Sequence, residues 1–74
     1  MNGSYYEGAY KKGVMKGFGR FYDSKSGDIY LGDFNNGKRN GEGKYYSKER
    51  DEIYDGNWSN DKRNGSGKVI SRNG

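Results

Sequence analysis

The sequence predicts an all-β protein, a thin antiparallel sheet of three stacked β-hairpins with no helix. The first observation behind this is an internal repeat. A shift of 24 residues superposes Tyr6, Tyr30 and Tyr54, then Gly8, Gly32 and Gly56, then Tyr10, Phe34 and Trp58. The same shift aligns Gly17, Gly41 and Gly65, then Gly19, Gly43 and Gly67, then the chain-reversal residues Gly13, Gly37 and Asp61. Self-similarity at a fixed period marks a repeat architecture. The second observation is the spacing inside each copy: the marked residues are two apart, the period at which side chains share one face of a strand.

The elements follow in order. Tyr6, Gly8 and Tyr10 define a first strand, Lys11 to Lys16 a polar turn, and Gly17, Gly19 and Phe21 a second strand with the same face pattern. Asp23 to Asp28 returns the chain for the next copy. The pattern recurs with turns at Asn35 to Asn40 and Ser59 to Asn64 and a return at Ser47 to Glu52. Gly-flanked polar stretches between alternating segments read as hairpin turns. The repeats run over about 6–29, 30–53 and 54–74 within one domain, 1–74. Six strands at about 4.8 Å each make a sheet roughly 30 Å long.

Composition sharpens this. Leu31, Ile29, Ile53, Ile70, Val14, Val69, Phe18, Phe21 and Phe34 are the whole complement of Leu, Ile, Val and Phe in 74 residues. That is about 12%, below the roughly 20% under which a highly charged chain is disordered. Net charge is only +4, however, and aromatic residues make up 16%. Disordered chains are poor in aromatics. The fourteen glycines gain a reason if a ring on one strand lies over bare backbone on its neighbour, burying apolar area without a thick core. Tyr6, Tyr10, Tyr30, Phe34, Tyr54 and Trp58 are expected to form a stacked row over the glycines. A single layer of short strands is expected to be of low stability, or to oligomerise.

The repeat unit resembles the MORN (membrane occupation and recognition nexus) repeat, whose motif runs Y-x-G-x-[WF]-x-x-G-x-x-x-G-x-G. Tyr30 to Gly43 matches throughout; Tyr6 to Gly19 has Tyr10 in the Trp/Phe place, and Tyr54 to Gly67 has Asp61 in place of Gly. The inter-hairpin loops are one residue longer than is usual in that family. The resemblance implies an elongated single-layer sheet, often curved into a groove. It also implies attachment or assembly, since such arrays occur in junctional membrane proteins, plant lipid kinases and protozoan cytoskeletal scaffolds, and beside SET-type methyltransferase domains. Both lipid and protein ligands are claimed for them.

Several functions are excluded by residue type. With no Cys and no His, a disulfide framework, a Cys- or His-ligated metal and a Ser-His-Asp arrangement are ruled out. No apolar run exceeds three residues, too short for a membrane span. Gly32 to Lys38 spells G-x-x-x-x-G-K, but Arg39 follows where a P-loop has Ser or Thr, and a strand follows where it has a helix. Asp28, Asp51 and Glu52 are spaced too irregularly for an acid/base pair or a calcium loop. No cofactor and no catalytic residue are expected; the chain reads as a non-enzyme.

Two binding surfaces remain. The aromatic face, Tyr6, Tyr10, Tyr30, Phe34, Tyr54 and Trp58, suits a protein partner or self-association, and this is the leading expectation. The alternative is peripheral attachment to anionic phospholipid through Lys11, Lys12, Lys16, Lys38, Arg39, Lys62 and Arg63 in the turns. Charged turns that merely solubilise the sheet are the plainer account of those cations. Nucleic-acid binding is disfavoured, because the rings are consumed in covering glycines and carboxylates interrupt the strands. An accessory domain of a larger enzyme ranks lower. Tyr22, Tyr46 and Ile70 lie on the other face, either open to a partner or packed against Ile29, Ile53 and Leu31. Asn2-Gly3 and Asn73-Gly74 fall in the same phase of the repeat; without caps this predicts a segment of a longer array, or ends that pair between chains. The location expected is cytoplasmic, or peripheral to membrane or cytoskeleton.

Overall fold

Six strands run in sequence order through one antiparallel sheet in the computed structural model, which describes residues 3–71. They are β1 (Tyr5–Lys11), β2 (Val14–Tyr22), β3 (Ile29–Asn35), β4 (Lys38–Ser47), β5 (Glu52–Ser59) and β6 (Lys62–Ser71). Among the described residues there is no helix, and so none long and apolar enough to cross a membrane. The extents are 42 × 33 × 15 Å, the thin dimension being that of one layer with its side chains. The expectations built on Asn2 and on Asn73-Gly74 lie outside the described residues.

The turns are tighter than the six-residue stretches expected. Each hairpin reverses in two residues, Lys12-Gly13, Asn36-Gly37 and Asn60-Asp61, and all six have φ between 49° and 79°. Positive φ at both central positions is the type I′ turn, whose twist matches that of the strands. Lys11, Lys16, Lys38, Arg39, Lys62 and Arg63 are therefore strand residues, and of the seven cations only Lys12 sits in a turn.

Register explains the glycines. Gly8, Gly19, Gly32, Gly43, Gly56 and Gly67 pair in succession across all six strands. Beside them runs a second row, Tyr6, Phe21, Tyr30, Tyr45, Tyr54 and Val69. The expectation that each ring faces a glycine directly is corrected for the tyrosines. Glycine faces glycine, and Tyr6, Tyr30 and Tyr54 each reach diagonally over the glycine row. A Cβ built on Gly43 would collide with the Tyr30 ring, and one on Gly67 with that of Tyr54. The Tyr30 hydroxyl then donates to the Asp33 carbonyl at 2.8 Å, as Tyr6 does to Ala9 at 2.7 Å and Tyr54 to Asn57 at 3.2 Å.

Those carbonyls lie at a bulge. Opposite the single residue Asp33, between the pairs Gly32–Gly43 and Phe34–Arg39, β4 carries Asn40, Gly41 and Glu42. The extra residues are accommodated by Gly41 at φ 109°, a conformation that glycine adopts without strain. The first glycine of each G-x-G thus makes a bulge, and the second is the seat under a ring.

The core is Tyr30, Phe34, Tyr54 and Trp58, exposed by only 2–6%. The rings do not stack. Tyr30–Phe34, Tyr30–Trp58 and Tyr54–Trp58 meet edge to face, 5.0–5.5 Å between centroids at 85–87°, the arrangement favoured by the ring quadrupole. Phe34 and Trp58 do face the bulge glycines Gly17 and Gly41 of the preceding hairpin. Tyr10 has no such strand beside it and is 58% exposed, a correction to the expected row.

On the opposite face Tyr5, Tyr22, Ile29, Tyr46, Ile53 and Ile70 form a cross-strand row. Tyr22, Ile29, Tyr46 and Ile53 are half-buried there, so packing within the row accounts for them.

Candidate functional site

Hairpin order places a groove on the aromatic face between the first and second hairpins. Phe21 and Met15 come from β2, Tyr30 and Phe34 from β3, Arg39 and Tyr45 from β4. The connection after β2 adds Asp23 and Asp28, and the turns add Gly37 and Asp61. The volume is about 270 Å³.

The inter-hairpin connection is built to hold its carboxylates there. The Asp23 carbonyl accepts the Gly27 N–H at 2.7 Å and its Oδ1 that of Lys25 at 3.0 Å, closing a tight turn. Asp28 ties this connection to the next: its Oδ1 accepts the Lys48 N–H at 3.0 Å and its Oδ2 the Tyr45 hydroxyl at 2.6 Å. Burial, reinforced by this bond to Asp28, pushes the Tyr45 phenol up to about 12. Tyr30 is likewise pushed up to about 12, by burial and then by Asp33. Both phenols therefore keep their protons at neutral pH and serve as donors.

Arg39 is half-buried, unlike the solvated turn cation expected of it, and Arg63, although exposed, also lies over a ring. The Arg39 guanidinium carbon lies 4.7 Å from the Trp58 ring centroid, 5.1 Å from Tyr45 and 6.0 Å from Tyr30. Arg63 lies 4.4 Å from Tyr54. Arg39 is anchored by Asp61, whose Oδ1 accepts its backbone N–H at 2.8 Å and its Nε at 3.2 Å. Asp61, the one departure from glycine in its column, holds φ 71° and thereby clamps the second hairpin to the third.

The other expected basic residues gather elsewhere. Lys11, Lys12 and Lys16, with Val14 and Asn36, line a second shallow depression of about 280 Å³. Lys38 and Lys62 begin β4 and β6 and are exposed. Of the expected aromatic face, Tyr30 and Phe34 line the groove, Tyr54 and Trp58 pack in the next junction, and Tyr6 and Tyr10 lie toward the β1 edge. Met15, Phe21 and Tyr45 were not expected there, nor were Asp23 and Asp28. Met15 was legible in principle, since the 24-residue shift puts it in the column of Arg39 and Arg63. The aspartates lie in connections whose repeat pattern is weak. Among the described residues no three carboxylates converge on a metal-sized site.

The MORN repeat family matches three times, over residues 6–27, 30–51 and 54–74. The chain belongs to that family. Its three MORN repeats coincide with the three hairpins, and the motif positions acquire physical roles: tyrosine as lid, paired glycines as seat, a glycine bulge, and a second aromatic wedged against the preceding repeat. No curated protein matches the chain closely enough to be counted a relative. The Gly32 to Lys38 phosphate-loop lookalike is β3, its turn and the start of β4; strand follows strand, so the helix such a loop requires is missing.

Proposed function

We propose that this MORN-repeat sheet is a non-enzymatic binding module that docks an extended segment of a protein partner on its aromatic face, in an assembly or scaffolding role. The observation that supports this is the open groove of Met15, Phe21, Tyr30, Phe34 and Tyr45, an aromatic-lined concavity whose charged groups are Asp23, Asp28, Arg39 and Asp61. An extended segment suits a groove between hairpins because its alternate side chains point the same way. We place this role in the cytoplasm, at a membrane or cytoskeletal surface.

The test is selection of peptides from a random library on the immobilised protein, followed by nitrogen-15 NMR mapping. Perturbations centred on Tyr30, Arg39 and Tyr45 are expected. Binding confined to the opposite face, around Leu31 and Lys44, would overturn the assignment.

A second reading, attachment to anionic phospholipid, is supported by Lys11, Lys12 and Lys16 gathered around one depression that no carboxylate lines. Each basic residue near such a surface contributes about 1 kcal/mol, so binding is expected to be weak and salt-sensitive. Co-sedimentation with phosphatidylserine vesicles over a salt series checks it. No binding at low salt sinks it; loss on reversing these three charges supports it.

A further inference from the structure

We propose that the groove between hairpins 1 and 2 is a seat for the arginine side chain of a partner segment, presupposing the protein-binding function above. The repeat itself provides the comparison. Where hairpin 2 meets hairpin 3, the aromatic seat is filled by the chain's own Arg39, over Trp58, Tyr45 and Tyr30, with Asp61 as its counter-charge. Twenty-four residues earlier, the corresponding positions are Met15, Phe34, Phe21, Tyr6 and Gly37. The rings are kept, while the guanidinium and its carboxylate are both missing.

What lines the open seat instead is acidic. Its charged residues are Asp23, Asp28 and Asp61 against Arg39, three negative and one positive, a local balance of −2 on a chain of net +4. Asp61 is used by Arg39 at 3.2 Å. Asp23 and Asp28 form no ion pair among the described residues. Asp28 accepts one neutral donor on each oxygen and Asp23 one on Oδ1. A carboxylate pair of oxygens has about four acceptor positions, so both retain capacity for a charged donor.

Ring faces attract a cation, and a planar guanidinium lies flat on them while its N–H fork reaches carboxylates. A volume of about 270 Å³ has room for one long side chain.

The test uses capped Gly-Gly-Arg-Gly-Gly and the same peptide with citrulline or lysine at its centre, titrated at millimolar concentration and followed by carbon-13 aromatic NMR. The arginine peptide is expected to shift Phe21, Tyr30 and Phe34, with at least tenfold weaker response to citrulline, its neutral isostere, and a weaker one to lysine. Met15→Arg, which fills the seat from within, and the pair Asp23→Asn with Asp28→Asn are each expected to weaken binding at least tenfold. Their backbone spectra report that the sheet is intact. An equal response to citrulline or lysine, or shifts centred on Trp58, overturns the seat. If selected segments still map to the aromatic face while ignoring Met15→Arg, the seat fails and the binding face stands. If no peptide of any composition touches that face, the face itself fails.

Discussion

The junctions between successive hairpins share a backbone and differ in side chains. In the first, the Gly37 N–H donates to the Met15 carbonyl at 3.0 Å; in the second, the Asp61 N–H donates to the Arg39 carbonyl at 3.0 Å. In the first, Tyr6 meets Phe34 edge to face at 5.1 Å; in the second, Tyr30 meets Trp58 at 5.5 Å. The second is then closed by Arg39, Asp61 and the bond from Trp58 Nε1 to the Gly43 carbonyl at 3.2 Å. The first has Met15 and Gly37 in those columns and stays open. The glycine and tyrosine rows thus supply the stacking geometry, which leaves the remaining columns free to fill a junction or to leave it as an open groove.

Substitutions that separate these contributions rank by size. Trp58→Ala removes the ring that closes the second junction, and large aromatic truncations in a core cost about 3–5 kcal/mol. For a sheet this thin, loss of the cooperative melt of the third hairpin is expected by circular dichroism, and an unchanged melt would refute the packing described. Next is Arg39→Ala. A half-exposed ion pair adds about 0.2–1 kcal/mol and a guanidinium over rings about 0.5–2 kcal/mol. A lower melting temperature is expected, and only the smaller, ion-pair share of the deficit should disappear when the same truncation is made in an Asp61→Ala background, the share from the rings remaining.

The smallest effect is on pH dependence. Tyr30 and Tyr45 titrate near 12 in the folded sheet against 10.0 when free. Raised folded values mean that the native state binds the protons more tightly. Their contribution is complete below pH 10 and declines as pH rises from 10 toward 12. Tyr45→Phe should flatten the alkaline fall in stability over that window; a slope unchanged from wild type would show that Tyr45 is not held by burial and Asp28.

Much of the fold was legible because the repeat forces it. Six columns kept in three copies place Tyr30 over Gly43 and Phe34 beside Gly17 wherever hairpins stack. The turn lengths were not legible, since Lys11 to Lys16 is polar throughout and polarity does not distinguish a turn from a charged strand end; positive φ at Lys12 and Gly13 decided it. The candidate site was legible only in part. Tyr30 and Phe34 were visible as motif residues, but Arg39 and Arg63 read as solvent-facing cations because rings and guanidinium meet only through cross-strand register. Asp28 reaches the groove through the Tyr45 hydroxyl seventeen residues away, a contact with no local sequence signal.

The claim that the open junction is the same seat as the filled one is tested most directly by transplantation. Met15→Arg and Gly37→Asp, made singly and together, form a double-mutant cycle read by denaturant melts. A favourable coupling of about 1 kcal/mol, the scale of a charge pair assisted by rings, is predicted whatever each substitution costs alone. Additive effects would contradict it, showing that the first junction does not hold a guanidinium as the second one does.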